Sequence, residues 1–315
     1  MDELDLKLLR ALISEGALAQ SENQVNSSLR SIAARLKADD MTVNLRYKRL
    51  QESGCLSAWH LLVNPTFFGC RLMDVTVDVL PESVKADAIR KLKLVHEVTG
   101  MIDFYGRALK VIAMYNSDES RSRIVELISR ITNAEKVTQI RWAFPRCRTE
   151  RLTETDVAII CSLSHDARKS FINVSKELRL STRTVRNRLG RLRRENTVFM
   201  LPVLNMGGVS GLIPVYLSYT YSQKGEKSRV DRAMLSQFGG SYLSLQFADP
   251  LSGYIFFGAS TMAEVQDCLD WAKSQPGVAT SRVDILTRTM MFPEKLTELL
   301  SLRNEKAAIQ SKAFF

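Results

Sequence analysis

The 315-residue chain has only three histidines, and no H-E-x-x-H, G-x-S-x-G or P-loop spacing occurs in it. Zincin, serine-elbow and phosphate-cradling chemistry therefore have no sequence support. His60, His96 and His165 stand in unlike places, and each reads as a surface or core residue rather than a ligand. Neither a metal nor a cofactor is expected. The cysteines Cys55, Cys70, Cys147, Cys161 and Cys268 are odd in number and scattered, without a C-x-x-C pair. That pattern points to free thiols in a reducing cytoplasm and away from structural zinc. No apolar run approaches the ~20 residues that span a bilayer. The acidic start Met1-Asp2-Glu3-Leu4-Asp5 is unlike a secretory signal. A cytoplasmic protein without a membrane partner is expected.

Charge is what the chain has in excess. Forty-four Lys and Arg face thirty-four Asp and Glu, a formal net charge of +10. This favours a polyanionic partner, nucleic acid or an anionic surface, without separating the two. The length accommodates two to four domains with cores of their own.

The chain also repeats itself. Asp5-Leu6-Lys7-Leu8-Leu9 aligns with Asp156-Val157-Ala158-Ile159-Ile160, and Ser31–Leu36 aligns with Asn173–Leu178. Thr42-Val43, Arg46, Arg49-Leu50 and Leu56 align with Thr184-Val185, Arg188, Arg191-Leu192 and Val198. A period of about half the chain indicates duplication of a two-part module. Each copy opens with a capping signal (Asp2 before Asp5, Thr153 before Asp156) and a helix of 3.6-residue apolar period. A polar insert around Gln20–Gln24 reads as a surface loop. A short helix follows, about Leu29–Lys37 or Phe171–Arg179, then a turn and a third helix capped by Asp39 or Ser181. Gly54 and Asn196 suit a left-handed helix end. Leu56–Val63 and Val198–Leu204 suit a two-stranded ribbon, so each unit reads as a winged helix-turn-helix.

The period then changes to two. Leu72–Val79, His96–Tyr105, Leu109–Tyr115 and Val137–Phe144 read as strands, with helices at Ser83–Leu94 and Asp118–Ile131. The second copy has strands at Ile213–Tyr221, Ser241–Phe247, Gly253–Ala259 and Arg282–Met291, and helices at Ser228–Phe238 and Met262–Lys273. The order βαββαβ predicts a ferredoxin-like sandwich. The fold class is α+β, a tandem repeat of winged helix-turn-helix and sandwich. The expected domains are 1–65, 66–148, 149–206 and 207–293, followed by a helical tail at 294–315.

This combination, with Thr-Val-x-x-Arg-x-x-Arg-Leu in the third helix of each copy, resembles the Lrp/AsnC family of transcription regulators. The resemblance covers nearly the whole chain, twice. It implies double-stranded DNA as partner and no catalysis. Family members dimerise through the sandwich, so this chain looks like that dimer written as one polypeptide, a pseudo-dimer that could assemble further. The resemblance also implies a small effector, commonly an amino acid, at a loop carrying Gly and Asp before the third strand. Thr99, Gly100 and Asp103 match it, whereas Gln246–Pro250 of the second copy lacks the Gly. A Gly–Asp pair is equally what any hairpin entry looks like. Sirohaem decarboxylases share the architecture, so an enzyme is the alternative.

A helix in the major groove needs exposed side chains for base edges and flanking cations for phosphates. With Val185, Leu189 and Leu192 inward, Thr182, Arg183, Arg186 and Asn187 face out or flank. Arg183 and Arg186 suit guanine, and Asn187 suits adenine. Ser181 and Thr184 open the same helix, while Arg179, Arg188, Arg191, Arg193 and Arg194 suit phosphates. The first copy is poorer: Met41 and Asn44 replace Arg183 and Arg186, and Asp39-Asp40 repels phosphate. Thr42, Arg46, Lys48 and Arg49 remain as its candidate contacts. Unlike half-sites are expected, with the second copy carrying most of the affinity.

Overall fold

The computed structural model describes residues 3–16, 29–142, 145–205, 211–238, 243–244, 251–300 and 302. Asp2, the insert around Gln20–Gln24, the stretch Gln246–Pro250 and the end of the tail lie outside them. The first helical unit is α1 (Glu3–Gly16), α2 (Leu29–Leu36) and α3 (Asp40–Glu52), followed by β1 (Leu56–Val63). Then come β2 (Arg71–Asp78), α4 (Lys85–Leu94), β3 (Val98–Phe104), β4 (Ala108–Tyr115), α5 (Asp118–Thr132) and β5 (Val137–Arg141). The second half runs α6 (Glu154–Leu163), α7 (Phe171–Leu178), α8 (Thr182–Arg194), β6 (Val198–Leu204) and β7 (Ile213–Tyr221). It ends with α9 (Lys227–Phe238), β8 (Leu243–Ser244), β9 (Ser252–Ala259), α10 (Met262–Ser274) and β10 (Val278–Met291). The order of elements therefore repeats. A last helix covers residues 293–300 and seats Leu296 and Leu300 in the core.

Local chemistry sets the helix ends. Thr153 and Asp156 form a reciprocal capping box on α6, each satisfying a backbone N–H that the helix leaves open. Gly54 (φ +73°) and Asn196 (φ +56°) follow α3 and α8 in the left-handed region, which both types tolerate.

The wings differ from expectation. Among the described residues neither unit builds a ribbon of its own; β1 pairs antiparallel with β6 of the other half, with Leu62 opposite Phe199 and Val63 opposite Val198. A lone strand leaves a row of backbone donors and acceptors unpaired, and the matching strand of the other copy is the partner that satisfies them. α1 packs on β6 and α6 on β1, each helix lying against the opposite copy's strand. Leu8, Leu12, Ile32 and Val43 therefore share one core with Ile160, Val174, Val185 and Leu192. The two helical units, expected as separate domains, are one packed body.

Alternation divides each sandwich. Met73, Val75 and Val77 of β2 face α4 and α5, and Val215, Leu217 and Tyr219 of β7 face α9 and α10. The strands form one sheet in the order β5-β2-β4-β3-β10-β7-β9-β8. β10 makes the junction: Val278–Ile285 pairs with β7 and Leu286–Met291 pairs with β3. In a flat sheet β4 and β7 would stand about 14 Å apart. Yet Lys110 Nζ of β4 lies 2.7 Å from the Tyr216 hydroxyl of β7, and Arg282 of β10 lies 2.9 Å from Asp78 of β2. The sheet curls until the helix-free faces of its halves meet.

Lys110 is buried at that meeting. Its ammonium lies 3.0 Å from Asp74 Oδ2 and 4.5 Å from the centre of the Tyr216 ring, which stacks on Tyr254. Burial pushes the Asp74 carboxyl up, against the pull of Lys110. Removing one partner of a buried pair strands the other, at a cost of about 3–5 kcal/mol, whereas removing both costs far less. Lys110→Met should therefore lower unfolding free energy by that amount in urea. Adding Asp74→Leu should restore at least half of the loss. A Lys110→Met loss below about 1 kcal/mol would mean that the pair does not hold the halves together.

Candidate nucleic-acid interface

The α7–turn–α8 pair is the better-defined reading head. Arg179 closes α7 in the left-handed region (φ +52°), and Ser181 caps α8 by accepting the Thr184 N–H at 3.0 Å. The Thr184 hydroxyl meets Ser181 and that of Thr182 meets Ser175, so these four side chains bond within the turn itself. Val185, Leu189 and Leu192 are buried, which fixes the roll of α8. Arg183, Arg186, Asn187 and Arg194 are exposed, with Gly190 between them. Their spacing, i, i+3, i+4, i+7 and i+11, is one stripe of a helix.

Other arginines have structural partners. Arg188 Nη1 lies 2.8 Å from the Thr153 hydroxyl and 3.1 Å from Asp156 Oδ1, and Arg191 Nη2 lies 2.6 Å from Asp156 Oδ2. Asp156 is wholly buried. Arg193 reaches the Met200 sulfur. Arg188, Arg191 and Arg193, expected at phosphates, thus also tie α8 to α6 and β6. Burial alone would raise the Asp156 carboxyl, but the Thr153 donors, Arg191 and Arg188 outweigh it and hold it below the ordinary range.

α3 repeats the anchor but not the stripe. Arg46 lies 2.8 Å from Asp5, the counterparts of Arg188 and Asp156, so this candidate contact also holds α3 to α1. Asp39 caps the helix through the Thr42 N–H at 2.9 Å. The outward positions matching the α8 stripe are Met41 (81% exposed), Asn44, Leu45 (52% exposed), Lys48 and Glu52. Asn44 is turned back onto Asp40. Lys48 and Arg49 are exposed. The α3 stripe sums to no charge (Lys48 against Glu52), whereas Arg183, Arg186 and Arg194 give the α8 stripe +3.

The expected effector residues are placed differently from the loop they were assigned to. Thr99, Gly100 and Asp103 all lie within β3. Thr99 is buried and donates to the Ile112 carbonyl, and Asp103 bridges Lys85 (2.7 Å) and Arg288 (3.3 Å). A Cβ on Gly100 would stand 2.6 Å from the Met291 sulfur and 3.0 Å from the Met290 carbonyl, so this glycine admits β10 to the sheet. The histidines also differ from expectation. His60 on β1 and His165 before α7 meet edge-on at 5.9 Å, a proximity that sequence spacing could not reveal because it arises from the β1–β6 pairing.

A family model described as winged helix-turn-helix DNA-binding matches residues 152–198, the α6–β6 unit. The HTH-type transcriptional regulator Ptr1 of Methanocaldococcus jannaschii is 28% identical over 148 residues, 46% of this chain and 94% of that protein. Among solved structures, the siroheme decarboxylase NirDL has a TM-score of 0.54 at 11% identity, covering 98% of this chain and 100% of its own. That likeness concerns architecture along the whole length. The leucine response regulatory protein LrpA of Mycobacterium tuberculosis has a TM-score of 0.32 at 21% identity, covering 49% of this chain and 99% of its own.

Asp156 offers a test of how α8 is held. Asp156→Asn should cost about 2 kcal/mol, the lower range for a buried charge whose arginine partners can rehydrate. The folded carboxyl titrates below its unfolded value of ~3.9, so its contribution is complete above that value and lost as pH falls through the lower folded one. Urea midpoints of parent and variant should differ at neutral pH and converge in strong acid. A gap independent of pH would show that Asp156 acts by packing alone.

Proposed function

We propose that this chain, a DNA-binding regulator of the Lrp/AsnC type, grips double-stranded DNA asymmetrically, with α8 as its principal reading helix. The observation that carries this is the division of labour on α8. Arg188 and Arg191 face Asp156, while Arg183, Arg186, Asn187 and Arg194 stand clear on one stripe. Guanidinium groups at Arg183 and Arg186 suit the O6 and N7 acceptors of guanine, and the Asn187 amide suits adenine. Arg179 and Arg194 flank them for phosphates. Gly190, without a side chain at the middle of the stripe, leaves room for the Arg194 guanidinium beside it. The first unit contributes position rather than readout, through exposed Lys48 and Arg49.

The whole chain then works as a pseudo-dimer, two copies of one module whose helical units are fixed relative to each other by the β1–β6 ribbon. The repeated element order and the paired Asp5–Arg46 and Asp156–Arg188 contacts support that reading.

The whole-length likeness to NirDL favours one second reading, a haem-type substrate on the same architecture. A Soret-region band on mixing the protein with sirohaem or haem would support it, and unchanged free-ligand spectra would remove it.

Asymmetry is tested by fluorescence anisotropy on duplexes recovered from genome-wide footprinting. Arg183→Glu with Arg186→Glu should weaken binding at least about thirtyfold, since each bidentate base contact contributes about 1–3 kcal/mol. Lys48→Glu with Arg49→Glu should weaken it less than about tenfold. Equal losses would refute the asymmetry. If about six to ten phosphates are neutralised, affinity should fall ~10³–10⁵ between 50 and 200 mM salt.

A further inference from the structure

Residues 145–151 join the first sandwich to α6 without forming helix or strand, and they carry Arg146, Arg148 and Arg151. Exposure alternates along the segment: Arg146 and Arg148 are exposed, while Pro145, Cys147 and Thr149 are half-buried. The inward groups are bonded to the folded body. The Cys147 N–H donates to the Thr66 hydroxyl at 3.1 Å, and the Thr149 hydroxyl meets Glu195 and Thr197. The backbone is held as well. The Arg148 N–H donates to the Glu195 carbonyl at 2.8 Å, and the Asn64 amide bridges the carbonyls of Pro145 (2.8 Å) and Asn196 (2.7 Å). The connection is therefore pinned along its inner side, with its guanidinium groups on the outer one.

Its position relative to α8 gives these charges a use. Glu195 and Asn196 follow Arg194, the last residue of the outward stripe, so the segment passes the end of α8 where that stripe stops. The Glu195 carboxylate at that end is engaged by Thr149. Among the described residues no carboxylate pairs with Arg146, Arg148 or Arg151. Three arginines against the exposed Glu150 add +2 beside the +3 of the stripe. Residues two apart in an extended chain stand about 7 Å from each other, close to the separation of neighbouring phosphates on one strand of a duplex. Guanidinium groups at that spacing suit successive phosphates, which they hold by charge-assisted hydrogen bonds without reading sequence.

We propose that Arg146, Arg148 and Arg151 form a phosphate track that carries the contact of α8 onward along the backbone of double-stranded DNA. The track adds affinity and salt dependence but no preference among sequences. Asn64 and Thr66, which hold it in place, belong to the first half of the chain, so that half positions a contact used beside the reading helix of the second. The inference rests on the DNA-binding reading and extends it to residues outside both helical units.

Fluorescence anisotropy on the full chain tests it, with a footprinted duplex and an unrelated duplex of equal length, between about 50 and 200 mM salt. Arg146→Gln with Arg148→Gln and Arg151→Gln should weaken binding to both duplexes by a similar factor, about tenfold or more. The slope of log K against log salt should become shallower by about 2–3, and each single substitution should account for about 1 of that. A control removes the same charge elsewhere: Arg107→Gln with Arg130→Gln and Lys136→Gln. These positions are exposed and lie beyond the Val77–Val137 and Asp78–Ala108 end of the sheet, away from the connecting segment. The control should lose less than about threefold, and urea midpoints matching the parent should show that both variants are folded. A triple variant that keeps the parental affinity and slope, or loses no more than the control, would overturn the track. A loss confined to the footprinted duplex would do the same, because that is base reading. The α8 reading fails separately: if Arg183→Glu with Arg186→Glu leaves binding unchanged while the triple variant loses it on both duplexes, the track stands and the reading helix does not.

Discussion

Pairing of β1 with β6 is the contact on which the placement of both helical units depends. Each strand alone would be an open edge, and each three-helix unit alone would have an apolar flank without cover. Joining the strands resolves both deficits at once, because α1 then covers β6 and α6 covers β1. The result is a single core that takes in both helical units, from Leu8 and Val43 to Val185 and Val198, and continues into the sheet at Tyr216 and Leu286. Below it, β10 plays the corresponding part for the sandwiches. It pairs with β7 over one half of its length and β3 over the other, and the curl it creates buries Lys110 against Asp74 and Tyr216.

Within that frame, the two helical units share part of their inner contacts and differ on their outer faces. Arg46 meets Asp5 as Arg188 meets Asp156, and Asp39 and Ser181 cap equivalent helices. These contacts are dictated by the need to seat a charged helix on its own unit, a need both copies share. The outward stripe has no such duty. There Arg183, Arg186 and Arg194 face Met41, Asn44 and Glu52 as their counterparts, and the difference in charge is a difference in what each helix can approach.

Much of this was legible in the residues. The 3.6-residue spacing of Val185, Leu189 and Leu192 predicted which face of α8 is buried, and Asn196 marked where it ends. Period two in Leu72–Val79 predicted β2. What could not be read was any property of pairing at long range. Which strand partners β1, why Gly100 must be small, that His60 meets His165, and that Arg188 and Arg191 share one carboxylate all depend on residues far apart in the chain. Periodicity assigns a face, but the partner on that face is a tertiary fact. For the arginines this matters directly, because a count of positive charges on a helix overstates what is available to phosphate once some of them hold the helix in place.

Two helical units in one chain also permit what a symmetric assembly forbids. In a two-fold dimer every substitution appears on both reading heads, so a change that spoils one contact spoils its mate. When both units lie in one polypeptide, Met41 and Arg183 are separate positions and can answer to separate demands. The frame tolerates this because the cores hold the apolar positions common to both copies, while the stripes are on the far side of their helices. Unequal outer faces on a common body are therefore open to a single polypeptide: the β1–β6 ribbon fixes the geometry, and the outward residues of α3 and α8 are left to differ.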